Sequence, residues 1–210
     1  MAEIIFQPPS KDAYFLENSP GVNVGTAADL YLRPKTDNIR RIILEFPLAG
    51  IPVAAVINLA TLALFETYND KNEPIVWAYK LSRTDWVEIE ATWLLYKTGS
   101  PWTTPGGDYV TVAPAGDSSL AIPDALLDDW LYFDVTAIVQ DAVDAAVAAE
   151  FLIRLDSEAG ALTRSVVFRS KECGVDAERP KLTVDYTPSV AGLENKSAGM
   201  AAKMVAAGLI

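Results

Sequence analysis

Apolar and polar side chains alternate along several short stretches of the chain, which is the pattern of a strand that buries one face. Ile42, Leu44 and Phe46 share one face of such a strand, while Arg41 and Glu45 share the other. The same alternation recurs at residues 12–17, 29–34, 75–81, 109–114, 129–136, 150–156, 164–170 and 181–187. Clusters of Gly, Pro, Asn and Asp separate these stretches. About ten short strands with loops of uneven length predict an all-β protein, an antiparallel β-sandwich. Four large side chains are predicted to lie in its core: Phe46, Trp93, Phe168 and Tyr186.

One helix is predicted between the strands, at residues 135–150, where it would cross one end of the sandwich. Its apolar residues recur at helical spacing: Ile138, Val139, Ala142 and Ala146. Asp134 or Thr136 can accept hydrogen bonds from its first free amides.

The strand predicted at residues 58–67 is apolar on both faces. Leu59, Ala63 and Phe65 alternate with Ala60, Leu62 and Leu64. Because only one face can meet the core between two layers, something is expected to cover the other face. The pattern leaves two alternatives open: a helix or long loop of the same chain, or a neighbouring subunit.

The composition changes after residue 188, and we expect a sandwich domain over residues 1–188 followed by a separate tail. Residues 189–210 contain no aromatic side chain and are rich in Ala, Gly and Met. Leu193, Met200, Ala201 and Met204 recur at helical spacing and form a narrow apolar stripe. Such a short helix is weak alone, so these residues are predicted to dock on the chain's own domain or on another protein.

Composition excludes several classes of function. The formal net charge is −11, from 17 basic and 28 acidic residues, which argues against nucleic acid and anionic membranes as partners. The chain has no histidine, the commonest general base and metal ligand, and its single cysteine excludes an intrachain disulfide and a cysteine zinc cluster. The longest apolar run, residues 53–65, is too short to span a bilayer, and the start lacks the pattern of a secretory signal. Synthesis in the cytoplasm is expected.

Residues 85–93, DWVEIEATW, resemble the W-x-E-x-x-x-T-W signature of the DNRLRE domains, which are related to the ninety-sixth family of carbohydrate-binding modules. Other pieces of the family pattern follow in the expected order, and together they span residues 10–188: residues 12–32, 40–64, 101–109, 132–143 and 166–188. The resemblance implies a jelly-roll-like β-sandwich. It also implies a non-catalytic module, of a kind found in secreted polysaccharide-degrading enzymes, in surface proteins and in phage structural proteins.

Three tryptophans lie close together in the stretch that carries this signature. Trp86 and Trp93 are seven residues apart, so on one continuous strand they would face opposite sides and could not form one platform for a sugar. Trp93 is predicted to lie in the core, because its parity matches that of Val87 and Ile89, and Trp86 is predicted to cap the edge of the sandwich. Trp102 lies in a loop rich in Pro, Gly and Ser and is the candidate for stacking on a sugar ring. The alternative for Trp102 is a loop plug over the core.

Charged residues suggest further sites. Arg169 and Lys171 are candidate contacts for an acidic polysaccharide, although such residues also form surface ion pairs within a protein. Glu88 and Glu90 are interpreted as a solvated or hydrogen-bonding face rather than a glycosidase pair. No cofactor is predicted; calcium is the alternative, through oxygen ligands in the first loop region: Asp12, Asn18, Asn23 and Asp29.

Two functions fit these observations, and neither requires catalysis. The first is a structural protein of a virion, made in the host cytoplasm, that decorates a bacteriophage capsid or belongs to a tail or fibre. It would dock on itself or on other virion proteins through the tail or through residues 2–6, AEIIF, by helix packing or strand addition. The alternative is a carbohydrate-binding module for an acidic polysaccharide, with a role in adhesion to a host surface. No recognisable nucleophile or cofactor loop indicates an enzyme.

Overall fold

The computed structural model describes residues 1–70, 74–111, 118–123, 127–158 and 165–189. Within these ranges the chain forms thirteen β-strands and one α-helix. The strands are β1 (Ala2–Phe6), β2 (Lys11–Leu16), β3 (Asp29–Lys35), β4 (Asn38–Phe46), β5 (Val56–Asn69), β6 (Ile75–Lys80), β7 (Leu95–Lys97), β8 (Ser100–Pro101), β9 (Ser119–Ala121), β10 (Asp129–Asp134), β11 (Ala149–Leu155), β12 (Val166–Arg169) and β13 (Lys181–Thr187). The helix is α1 (Thr136–Asp144), and a 3-10 turn covers Asp176–Glu178. The predicted all-β class is confirmed.

Eleven strands form one curled antiparallel sheet that folds over into two layers. The first layer, sheet A, contains β1, β13, β5, β10 and β12, and the second layer, sheet B, contains β2, β4, β11, β6 and β9. Strand β3 joins the layers, because its first half pairs with β12 and its second half pairs with β4. Strands β7 and β8 form a separate small hairpin.

The main core fills the space between the layers and follows the predicted alternation. Phe46 and Phe168 are fully buried there, and Tyr186 is almost fully buried, as predicted. Each strand contributes one face, so the other face of sheet A is left outside the core. Helix α1 closes one end, with Ile138 and Val139 in the core.

A second cluster covers the outer face of sheet B. The segment between β6 and β9 folds back over that face, and its three tryptophans pack on Phe15, Ile43 and Leu152. Gly107 adopts a positive φ of 104°, and a Cβ there would lie 2.7 Å from Cδ1 of Leu152. The Gly106–Gly107 turn therefore lets the backbone approach the sheet more closely than a side chain would permit.

Helix α1 is shorter than predicted: it ends at Asp144, the predicted helical residue Ala146 adopts a positive φ of 54° that no helix continues through, and β11 begins at Ala149. Val135 occupies the N-cap position and makes no side-chain cap hydrogen bond. Of the two predicted acceptors, Asp134 does bond to a free amide of the helix: its Oδ1 accepts a hydrogen bond from the amide of Thr136, the first helical residue, at 2.9 Å. Within the described part of the chain, no helix combines the length and the apolar character needed to cross a membrane.

Two expectations about sheet A change. Helix α1 packs on the core side of β5, so it does not cover the outward face, where Leu59 is 49% exposed. The segment AEIIF, expected to dock on neighbours, is β1 and pairs with β13 of its own chain.

The proposed docking residues Leu193, Met200, Ala201 and Met204 lie outside the described residues, and the division at residue 188 stays a prediction.

Candidate functional site

Trp102, the candidate for stacking on a sugar, is buried. Its side chain is 4% exposed, its ring lies against Phe15 and Tyr96, and its Nε1 donates a hydrogen bond to the Thr92 carbonyl oxygen at 2.9 Å. A ring covered in this way has no free face for a sugar. The prediction of a carbohydrate contact at Trp102 is therefore wrong for this structure, and the alternative of a loop plug over the core describes its position.

Trp86 and Trp93 are also buried, in the same cluster as Trp102. The two residues do not lie on one continuous strand, because the segment that carries them is irregular and belongs to no strand, so the expectation of opposite faces does not apply. The core position predicted for Trp93 is confirmed.

Arg169 and Lys171 are engaged with carboxylates of the chain itself. Arg169 forms ion pairs with Asp29 at 3.0 Å and with Glu178 at 3.1 Å. Lys171 reaches Glu88 at 3.1 Å as well as its neighbour Glu172. These contacts match the alternative of internal ion pairs, so neither cation is free to meet a polysaccharide without first losing its partners.

Of the predicted calcium ligands, Asp12 joins a cluster of carboxylates in which oxygens of Asp12, Glu88 and Glu172 lie within 4.8 Å of one another. Asp29 is bound to Arg169, and the side-chain oxygen of Asn23 accepts a hydrogen bond from the Gly25 amide. The predicted set is therefore not brought together.

The three-carboxylate cluster is geometrically able to ligate a cation, but it already contains the ammonium of Lys171. Burial raises the pKa of Asp12 well above its ordinary value, and the charges of Glu172 and Glu88 raise it further. The Lys171 amide opposes this rise, because it donates a hydrogen bond to Oδ2 of Asp12 at 2.7 Å. The cluster thus ties β2 to the segments that follow β6 and β12.

A cleft of about 560 Å³ lies on the outward face of sheet A, near the corner formed by β3. Tyr31 on β3 pairs with Val167 on β12, and Val167 pairs with Tyr68 on β5. These three residues therefore form a row across three strands, with their side chains on the face opposite the core. Tyr68 is 48% exposed, so its ring is open to solvent.

Two arginines lie in this cleft directly opposite each other. Arg33 on β3 pairs with Arg40 on β4, and the guanidinium of Arg40 lies 5.3 Å from the centre of the Tyr31 ring. Among the described residues neither arginine has a carboxylate within ion-pairing distance. Their buried Nε atoms also have no hydrogen-bond partner there. Like charges directly opposite on paired strands destabilise a sheet, so this pair favours an anion in the cleft.

The carboxylates that line the cleft are already engaged. Asp29 is held by Arg169, and Asp70 accepts a hydrogen bond from the Tyr68 hydroxyl group. That bond and the charge of Asp70 raise the pKa of Tyr68. The cleft thus offers two guanidinium groups beside an open aromatic ring.

The family model for carbohydrate-binding module family 96 matches residues 4–186. The chain belongs to this family. No curated protein matches the chain. The resemblance indicated by the W-x-E-x-x-x-T-W signature is confirmed, and this family 96 module belongs to a class of proteins that bind carbohydrates.

Sequence reasoning missed Tyr31, Arg33, Arg40 and Tyr68. A signal was present for the first two, because in residues 29–34 they alternate with Leu30 and Leu32 and must therefore face away from the core. No such signal marked Arg40 and Tyr68, which reach the cleft only through strand pairing.

Proposed function

We propose that this family 96 module binds an acidic polysaccharide in the cleft of sheet A. The observation that carries the proposal is the cross-strand pair of Arg33 and Arg40, which has no carboxylate partner among the described residues in a protein of net charge −11. Family membership supports a carbohydrate as the ligand, and the arginine pair supports one that carries carboxylates.

Each residue of the cleft has a role that follows from its position. Arg33 and Arg40 donate hydrogen bonds to a sugar carboxylate, and because guanidinium groups are planar, each can bind a carboxylate with two parallel bonds. Tyr68 presents its ring to the apolar face of a sugar. Tyr31 holds the Arg40 guanidinium against its own ring, which limits the side-chain freedom lost on binding.

The proposal is tested by replacing the arginines one at a time. Arg33→Gln and Arg40→Gln are each expected to weaken binding of a uronic-acid oligosaccharide roughly tenfold, since a hydrogen bond to a charged group is lost. Arg83→Gln is the matched control, because it removes the same charge from a side chain that lies in the segment over sheet B, against Tyr96 and near Asp85. Calorimetric titration measures the affinity of the original protein and of the three variants for the oligosaccharide.

Two results would count against the proposal. If both cleft variants bind the oligosaccharide as tightly as the original protein, the ligand does not lie between Arg33 and Arg40. If a neutral oligosaccharide of the same length binds equally well, the charge of the arginines does not select the ligand.

A role in a virion is a separate proposal about where the module is used. A bacteriophage structural protein that holds a polysaccharide would use the same cleft for adhesion to a host surface. The predicted docking residues of such a virion protein, Leu193 to Met204, lie outside the described residues, whereas family membership supports the carbohydrate-binding role.

A further inference from the structure

Aromatic side chains continue along the outward face of sheet A beyond the cleft. On β10, Leu131 and Phe133 point into the core, so Trp130 and Tyr132 lie on the opposite face. Trp130 pairs with Phe65 on β5. Because Phe65 and Tyr68 both lie on the outward face of β5, the aromatic surface runs along this strand into the cleft.

The ammonium group of Lys181 lies at the far end of this surface. Lys181 on β13 and Tyr132 on β10 both pair with Ala63 on β5, so they flank this small residue from opposite sides. The Lys181 ammonium lies 3.9 Å from the centre of the Trp130 ring, and among the described residues no carboxylate lies within ion-pairing distance of it. The far end therefore resembles the cleft, because each has a cation that lies against an aromatic ring and has no carboxylate partner among the described residues.

Tyr132 supplies an open ring at this end. Its side chain is 56% exposed, and a shallow groove of about 260 Å³ runs beside it, lined by Leu120, Pro123 and Trp130. The Trp130 ring is packed edge-on against Phe65 and holds Lys181, so it acts as a support rather than as the exposed platform.

The two ends are far enough apart to require a chain of sugars. Ala63, opposite Tyr132, and Tyr68 are five positions apart on β5, which corresponds to roughly 17 Å along an extended strand. A single sugar ring cannot contact both ends at once. We propose that Tyr132 and Lys181 form a second subsite for the same acidic polysaccharide, so that the module binds an internal stretch of the polymer; this inference rests on the function proposed above for the cleft.

The second subsite is tested by varying the length of the oligosaccharide ligand. Titration with uronic-acid oligosaccharides from the disaccharide to the octasaccharide is expected to show an affinity that rises with length until the ligand spans both ends. Tyr132→Ala and Lys181→Gln are each expected to remove roughly tenfold of the affinity for the octasaccharide while leaving that for the disaccharide unchanged. Tyr132→Phe keeps the aromatic ring, so its affinity is expected to rise with oligosaccharide length as in the original protein. Lys80→Gln removes the same charge from sheet B and serves as the control for Lys181→Gln.

The outcomes separate this inference from the function on which it rests. If no oligosaccharide of the series binds, both proposals fail. If all lengths bind equally through Arg33 and Arg40, the cleft stands and the second subsite is wrong. If affinity rises with length but neither Tyr132→Ala nor Lys181→Gln reduces the gain, the polymer leaves the cleft in another direction and the second subsite is also wrong.

Discussion

Glu150 on β11 lies directly opposite Glu45 on β4, and the Trp86 indole donates a hydrogen bond to Oε2 of Glu150 at 3.1 Å. Lys11 pairs with Oε2 of Glu45, and its ammonium lies 4.5 Å from the centre of the Trp86 ring. Two carboxyl groups of neighbouring strands thus share a site beneath the segment that carries the family signature. The pKa of Glu150 is raised to about 8. Burial is the largest cause, and the hydrogen bond with Glu45 and the charge of Glu45 raise it further.

Stability is expected to depend on pH through this pair. The carboxyl group of an unfolded chain releases its proton near pH 4.5, whereas Glu150 in the folded protein keeps its proton to about pH 8. Between these values the folded state binds more protons, so the free energy of unfolding falls as the pH rises, by at most about 1.4 kcal/mol per pH unit. Denaturant titrations across this range measure the slope.

Glu150→Gln is expected to flatten this dependence, because an amide neither gains nor loses the proton. Glu3→Gln, an exposed position on β1, is the control and should keep the original slope. An unchanged slope in Glu150→Gln would mean that another group carries the pH dependence.

A side chain at Gly107 is expected to destabilise the protein. Gly107→Ala combines a positive φ with a contact of 2.7 Å to Leu152, and we expect a loss of about 1–3 kcal/mol in the free energy of unfolding. Gly99→Ala has a similarly positive φ of 73° but open space around it, so it isolates the backbone strain. Equal losses in the two variants would show that the close approach to sheet B contributes nothing.

The largely buried ion pair of Arg41 and Glu158 is expected to need the planar guanidinium group. Nε and Nη2 of Arg41 donate two hydrogen bonds to Glu158, at 2.9 and 2.7 Å, and Nη1 donates a third to the Gly106 carbonyl oxygen. Arg41→Lys cannot replace all three, and we expect it to lower the free energy of unfolding by about 1–3 kcal/mol.

The control for Arg41→Lys is Arg83→Lys, since Arg83 forms a longer, exposed ion pair with Asp85 at 3.8 Å. Thermal or denaturant unfolding of both variants gives the comparison. A loss in Arg83→Lys as large as that in Arg41→Lys would contradict the role of burial and of the paired hydrogen bonds.

Ligand binding is expected to weaken as salt concentration rises. The charges of Arg33, Arg40 and Lys181 lie near the surface, where salt screens their attraction for a polyanion. Titration of a long uronic-acid oligosaccharide at several salt concentrations measures how steeply the affinity falls. In the double variant Arg33→Gln/Arg40→Gln the affinity is expected to fall less steeply with salt. A slope that is the same in the double variant would indicate that other cations hold the ligand.

The strands could be predicted from the sequence because a buried face imposes a period of two, as in β4 and β13. The same rule, applied to residues 129–134, would also have placed Trp130 and Tyr132 outside, opposite Leu131 and Phe133. The segment around Trp86 and Trp93 could not be interpreted in this way, since it folds over sheet B without regular pairing and its tryptophans are buried without a period.

The position of the cleft could not be predicted for a different reason. Arg33 and Arg40 meet across a hairpin, but Tyr68 joins them only because β12 pairs with both β3 and β5. An irregularity in the pairing of β5 with β12 lies between Glu66 and Tyr68 and changes which residues face outward. Registers of this kind are set by long-range packing and leave no local pattern.

The pairing of the first strand with the last has a mechanical consequence. Ala2 lies opposite Tyr186, so β1 begins where β13 ends, and the chain enters and leaves the sandwich side by side. A pulling force applied between the two ends would load the hydrogen bonds of this ladder one after another instead of all together. We therefore expect β1 to peel away from β13 at low force, while the remaining strands and the cleft on sheet A stay folded.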